Sequence, residues 1–178
     1  MIEKIMSKHH EKVKLIVGFI FADDKRLKKA ESVVSDKLGP QDHHSNILDF
    51  SHTQYYREEF GRNLKRKFIS IKRLASIEEI YKIKKISNRI EKYLSIDGKR
   101  TVNIDPGYIT LGKLVLLTTK DHGHRVYLKD GIYGESTLKF YNGSYAPWPT
   151  TYPDYATKEH IGIFNNIRSI YKNQLVNR

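Results

Sequence analysis

The stretch Val13-Lys14-Leu15-Ile16-Val17-Gly18-Phe19-Ile20-Phe21-Ala22 decides the fold class. It is rich in β-branched and aromatic residues and too continuously apolar for a strand with one wet face, so it reads as a central strand. Asp23 and Asp24 end it. Either carboxylate can cap a following helix, in which Leu27, Ala30, Val33, Val34 and Leu38 recur at helical spacing until Gly39 and Pro40 stop it. Ile47 to Tyr56 and Lys67 to Ile71 read as two further strands, the second with Ile69 and Ile71 on one face and Phe68 and Ser70 on the other. Gly61 and Asn63 mark the turn between them. Ser76 with Glu79 forms a capping box before a second helix striped by Ile80, Ile83, Ile86, Ile90 and Leu94, which Asp97 and Gly98 close. Thr101 to Ile104 is a short strand running into an Asp105-Pro106-Gly107 turn. The resulting order is βαββαβ, the ferredoxin-like order in which two helices cover one face of a four-stranded antiparallel sheet.

Leu111 to Lys120 fits a helix capped by Thr110, with a strand around Val115 as the alternative. Beyond it, Asp130-Gly131 and Asn142-Gly143 are hairpin signals separating Arg125 to Leu128, Ile132 to Phe140 and Ser144 to Trp148, which predicts a β-meander. Pro147, Pro149 and Pro153 keep the next segment extended. Thr157 then caps a terminal helix with Ile161, Phe164, Ile167, Tyr171 and Leu175 on one face. The expectation is an α+β protein with residues 1–178 forming a single domain, built from a core at 13–106 and a C-terminal extension at 107–178.

A chain of 178 residues with 39% hydrophobic residues can bury one substantial core. The lack of cysteine excludes disulfides, thiolate metal sites and cysteine nucleophiles, and fits a reducing cytoplasm. The longest apolar run, Leu15 to Ala22, falls short of the roughly 20 residues that span a bilayer. Met1 to Lys14 has charges of both signs and no cleavage-like pattern, so it does not read as a signal peptide. The expectation is a cytoplasmic protein without a membrane partner. The net charge of +12 favours an anionic partner. Its lysines and arginines run along the whole chain, with clusters at Arg62 to Lys72 and Lys82 to Arg89, and such residues also serve simply as solvated helix faces.

Between Arg100 and Tyr155, polar residues interrupt core-forming segments: Asn103, Asp105, Lys113, Lys120, Asp121, His124, Arg125, Glu135, Thr137 and Asp154. Lys120, Asp121, His124 and Arg125 are the most suggestive group. Histidine transfers protons near neutral pH, and lysine and arginine hold carboxylate or phosphate; a charged turn with a satisfied histidine is the plain alternative. His124, Asp105 and Glu135 are therefore candidate catalytic residues. Asn103, Thr119, Lys120, Arg125, Tyr127, Trp148 and Asp154 are candidate ligand-binding residues. Asp105, Asp121, Glu135 and Asp154 could gather around a divalent metal with help from His124, yet no short spacing demands it. No metal ligands are assigned, and the cofactor stays unassigned. His52 and Thr53 are adjacent, so on a strand they point to opposite faces and cannot act as a paired His-x-Thr motif. His9 and His10 carry no signal.

At Arg100-Thr-Val-Asn-Ile-Asp-Pro-Gly-Tyr108 the chain resembles a bacterial and archaeal family of uncharacterised proteins, domain-of-unknown-function family 4416. The resemblance extends to Tyr55-Tyr56 with Glu59 and Gly61, Lys65-Arg66-Lys67-Phe68, Thr118-Thr119-Lys120-Asp121 with His124-Arg125, and Thr151-Tyr152-Pro153-Asp154-Tyr155. It covers nearly the whole chain and implies no established activity. A GTP-binding label attached to some similar proteins does not suit this chain, which lacks the Gly-x-x-x-x-Gly-Lys-Ser/Thr loop. Thr150 stands where similar proteins tend to have tryptophan, leaving Trp148 as the aromatic of that segment.

Three functions compete. The first is an enzyme or specific binder for a small anionic or phosphate-bearing ligand, nucleotide-like in class, using Lys120, His124 and Arg125 with nearby carboxylates. The second is an RNA- or DNA-binding module using the sheet, the basic segments and Tyr55 or Tyr56. The third is an assembly protein whose tyrosine-rich meander meets a partner.

Overall fold

The computed structural model describes residues 12–51, 56–61 and 63–177. Its nine strands form one antiparallel sheet. In chain order the elements are β1 (Lys14–Phe21), α1 (Asp24–Leu38), β2 (Gln41–His44), β3 (Leu48–Asp49), α2 (Arg57–Phe60), β4 (Lys65–Ile71), α3 (Ile80–Tyr93), β5 (Val102–Ile109), β6 (Lys113–Thr118), β7 (Val126–Lys129), β8 (Ile132–Tyr141), β9 (Ser144–Pro147) and α4 (Lys158–Val176). A short 3-10 turn, Ile77–Glu79, leads into α3. The sheet order is β2-β4-β1-β5-β6-β8-β7, with β3 on β4 and β9 on β8.

β1 is central, as its composition predicts. It pairs with β4 on one side and along its full length with β5 on the other. Side chains alternate across a strand, so one face carries Leu15, Val17 and Phe19 against α1 and α3, while the other carries Ile16 with Phe68 and Ile109 against α4. Asp23 caps α1 by accepting from the Lys25 N–H at 2.8 Å, and Gly39 ends it at φ 110°. Thr157 caps α4 through the His160 N–H, and Phe164, Ile167 and Tyr171 are fully buried beneath that helix. Both faces of the sheet are therefore covered.

The structure corrects several expectations. Leu111 to Lys120 contains a strand, β6, because its apolar residues serve both faces: Leu114 and Leu116 belong to the α4 side, Val115 and Leu117 to the α1/α3 side. Such a doubly buried strand lacks the alternation that separates strand from helix. Asp105-Pro106-Gly107 is not a turn but the middle of β5. Proline is tolerated there because β6 begins to pair only at Gly107, so Pro106 has a ladder on the β1 side alone. This also puts the expected 106/107 boundary inside a strand.

Of the expected strand Ile47 to Tyr56, residues 52–55 lie outside the described residues; among the rest, Leu48 and Asp49 alone pair with β4 as a strand, and the outer position of the sheet goes to the polar β2, whose side chains give no apolar alternation to read. Neither half of the capping box forms: Ser76 makes no side-chain cap, and Glu79 pairs with Lys82. The hairpin turns hold as read: Asp130-Gly131 and Asn142-Gly143 all have positive φ. The three strands are not a simple meander, however. β6 occupies one side of β8, so β7 and β9 pair end to end on the other, at residues 132–134 and 138–141 of β8.

Gly18 is required by space rather than by backbone angle. A Cβ there would lie 2.9 Å from the Phe68 ring and 3.1 Å from the Arg66 guanidinium. Gly18→Ala is expected to destabilise the protein by about 1–3 kcal/mol in urea unfolding. Gly162→Ala, inside α4 with open space around it, should instead stabilise by up to about 1 kcal/mol; equal effects at the two sites would contradict this packing.

Candidate functional site

β5 and β6 pair only through residues 107–109 and 114–116, so Val102 to Pro106 have no strand neighbour on the β6 side. An unpaired strand edge must satisfy its backbone elsewhere. Two side chains of α3 do so at Ile104: the Glu91 carboxylate accepts from its N–H at 2.5 Å, and Lys84 donates to its C=O at 3.2 Å. Both are buried, and both lie on the helical face that also carries Ile80 and Leu94. Burial pushes the Glu91 carboxyl up, against the pull of Lys84, the Ile104 N–H and Arg100.

Arg100 reaches the same place from the chain entering β5. It holds Glu59 of α2 through two bonds of 2.6 and 2.5 Å, donates to Asn103 Oδ1 at 2.9 Å and lies 3.4 Å from Glu91. Phe60 lies against its guanidinium, 5.5 Å from ring centre. Its charged form is favoured first by Glu59.

On the α4 face, two strands away on β4, Arg66 is 2% exposed. It is 3.3 Å from Asp105, 3.8 Å from Asp154, and donates to the Tyr155 hydroxyl at 2.6 Å. The rings of Phe50, Phe68 and Tyr155 surround it at 4.9 to 5.6 Å. Burial opposes its charge, but Tyr155, Asp154 and Asp105 outweigh that. Burial pushes the Tyr155 hydroxyl well above its ordinary pKa.

The third group is built from the loop between β6 and β7. Arg125 donates to Glu135 Oε2 at 2.9 Å, to the Lys120 carbonyl at 3.0 Å and to the Tyr152 hydroxyl at 2.6 Å. These bonds fix the loop on β8 and dock the segment before α4 onto it. His124 Nε2 lies 3.3 Å from the same Glu135 oxygen, with the histidine side chain 34% exposed and the glutamate 3%. His122 stacks parallel to His124 at 6.1 Å. Asp121 bonds the Tyr133 hydroxyl. Tyr152 joins this group to the previous one: burial raises its pKa first, then Glu135 and Asp105 do.

Of the residues singled out by sequence, the structure thus brings His124, Arg125 and Glu135 together, with the Lys120 backbone. Asp105 and Asp154 meet at Arg66, and Asn103 meets Arg100. Thr119 is exposed on the loop. Tyr127 packs on Tyr133 at 5.4 Å, and Trp148 lies under the Lys139 ammonium at 4.3 Å, away from His124. Among the described residues no cluster of three or more histidine or carboxylate side chains is arranged to hold a metal. His9, His10, His52, Thr53 and Tyr55 lie outside the described residues. No helix among the described residues is long and apolar enough to cross a membrane.

Sequence reasoning missed Arg66, Lys84, Glu91, Arg100, Tyr152 and Tyr155 as parts of this network. A signal existed for some of them. Arg66 shares strand parity with Phe68, and Lys84 and Glu91 fall on the buried face of α3 at positions four and eleven after Ile80.

These observations define a mixed α+β protein whose sheet is split between β5 and β6, where Lys84 and Glu91 bridge the gap beside a network of arginines and carboxylates. The chain belongs to the family described as Domain of unknown function (DUF4416), whose model matches residues 11–171. No curated protein and no solved structure matches it.

Removing Arg66 leaves Asp154 buried without its charge partner. Arg66→Met is expected to cost about 3–5 kcal/mol in urea unfolding, more than the loss from Lys65→Met, whose side chain is partly exposed at the start of the same strand; equal losses would contradict this packing. For Glu91, a folded pKa above the unfolded one means its stabilising contribution is whole below the ordinary carboxylate pKa and is lost as pH rises through the raised value. Glu91→Gln should flatten the stability profile across that window, which unfolding measured as a pH series will show.

Proposed function

We propose that the protein is an enzyme or specific binder for a small phosphate-bearing ligand, nucleotide-like in class, with the loop 119–125 as its working surface. The observation that carries the reading is the pairing of exposed His124 with buried Glu135 at 3.3 Å. A carboxylate on one imidazole nitrogen fixes tautomer and orientation, leaving the other nitrogen to exchange a proton with a ligand. Glu135 is then a positioning residue and His124 the acid or base. Arg125 shapes the loop, its guanidinium being engaged by Glu135, Lys120 and Tyr152.

The ligand's orientation follows from charge. Behind the loop lie Glu135, Asp105, Asp154, Glu91 and Glu59, against Arg125, Arg66, Arg100 and Lys84. Carboxylates outnumber fixed cations there, so the anionic group belongs on the outer side, with Thr119, Lys120 and His122. Glu135 Oε1 is buried with no hydrogen-bond partner among the described residues. It offers an acceptor to a ligand hydroxyl or amine, and Asp105 and Tyr152 complete the rim.

The nucleic-acid reading loses its platform, because α4 covers the sheet face it would use. Several cations of its basic segments are committed as well: Lys65 to Asp24, Lys67 to Glu31 and Lys85 to Asp130. The order β2-β4-β1-β5 with α1 and α3 on one face supports a ferredoxin-like reading of the first half, within a single domain extended by β6 to α4. The absence of cysteine supports a reducing, cytoplasmic setting.

A thermal-shift screen against nucleotides and phosphorylated metabolites, at low and high salt, tests the proposal. One compound should raise Tm in a saturable, salt-resistant way. His124→Ala should abolish turnover of that compound, or weaken its binding about tenfold or more, while the variant unfolds as the parent does. A shift unchanged in His124→Ala would remove the loop from function.

A further inference from the structure

The opposite end of the sheet, where β1 begins and β4 ends, carries a second feature. Two grooves of about 540 and 330 Å³ lie on either side of the turn after β4 and share Lys12, Arg73 and Leu74 in their walls. Volumes of this order suit small molecules, not a docked helix. The larger groove runs toward α4, where Asn173, Gln174 and Asn177 make it polar. The smaller runs between α1 and α3 over Leu15, Leu38, Ile83 and Ile86.

The charges here differ from those elsewhere in the molecule. Lys12, Lys37 and Arg73 are exposed and have no acidic partner among the described residues. The only carboxylate in the walls, Glu79, is paired with Lys82. By contrast Lys14, Arg66, Lys67, Arg100 and Arg125 each face a carboxylate. The apolar floor is recessed: Leu15 is 3% exposed, and Leu38, Ile83 and Ile86 are partly buried. None of the lining residues is aromatic, which removes the stacking surface that a nucleobase would need.

We infer that this end of the protein is a second binding site, for an aliphatic chain carrying an anionic head, with the head at Arg73 and Lys12 and the chain along Leu15, Ile83 and Ile86. Unneutralised cations at the rim supply the complement to a phosphate or carboxylate, and the recessed floor supplies apolar surface to a chain that comes to it. A free amphiphile fits this better than a bilayer, since insertion requires apolar side chains that protrude and here the protruding ones are charged. The site lies at the other end of β1 from His124 and does not depend on the loop reading above.

Isothermal titration of the full chain with decyl phosphate, below its micelle concentration, tests the inference. Saturable binding with a negative heat-capacity change is expected, along with at least tenfold weaker binding by Arg73→Glu and unchanged binding by His124→Ala. Arg73 is exposed and has no ion-pair partner among the described residues, so its replacement is expected to spare the fold. Any of four results would overturn the inference: no saturable binding, equal affinity for inorganic phosphate, full affinity in Arg73→Glu, or binding only to vesicles of anionic lipid.

Discussion

Enclosing the Arg66 guanidinium is the constraint on which the rest of this structure depends. Arginine cannot shed its proton under any condition in which the protein folds, so its charge must be met in place. Five segments meet it: β1 leaves room at Gly18, the chain after β3 contributes Phe50, β4 contributes Phe68, β5 contributes Asp105, and the chain before α4 contributes Asp154 and Tyr155. Compared with an apolar filling of similar volume, such a pair adds little net stability. It does tie the C-terminal segment to the first half of the chain, because a docked α4 without Asp154 and Tyr155 in place would leave the charge uncovered.

That docking has a consequence for the sheet. With β5 held between β1 and the 154–155 segment, β6 follows it for three residues only and then turns away with β8. The buried backbone of Ile104, with no strand beside it, would be an orphan, and α3 supplies Glu91 and Lys84 where a strand would have stood. Polar side chains in the interior of α3 are thus explained by a gap in a neighbouring sheet. The same divergence lets the loop after β6 fold back over β8, where Arg125 binds Glu135 and carries His124 with it. The accessible imidazole is therefore fixed by the same break that buries the arginines.

Much of this was legible. The central strand, α1, the apolar stripe of α3, both hairpin turns and the capped terminal helix follow from local rules, since each rests on periodicity or on a turn residue with positive φ. The failures share a physical cause. β6 is buried on both faces, β2 is a polar edge held by its neighbour, and Pro106 lies where β5 lacks one ladder. In each case the deciding partner is distant in sequence. His124, Arg125 and Glu135 were visible as polar residues among apolar ones, and their meeting agrees with that signal. Arg66 was hidden between Lys65 and Lys67, whose alternating neighbours look like a solvated basic run.

The distribution of charge follows from the same network. The chain has 20 acidic residues for 32 lysines and arginines. Arg66, Arg125, Lys84 and the partly exposed Arg100 hold five carboxylates: Glu59, Glu91, Asp105, Glu135 and Asp154. What remains cannot neutralise the surface. Where β4 turns toward α3, the one carboxylate lining the grooves, Glu79, is already held by Lys82. A net charge of +12 is therefore not spread evenly as a coat for a polyanion. One end of the sheet holds its arginines against carboxylates, whereas the other presents Lys12, Lys37 and Arg73 over an apolar floor with no acidic partner among the described residues.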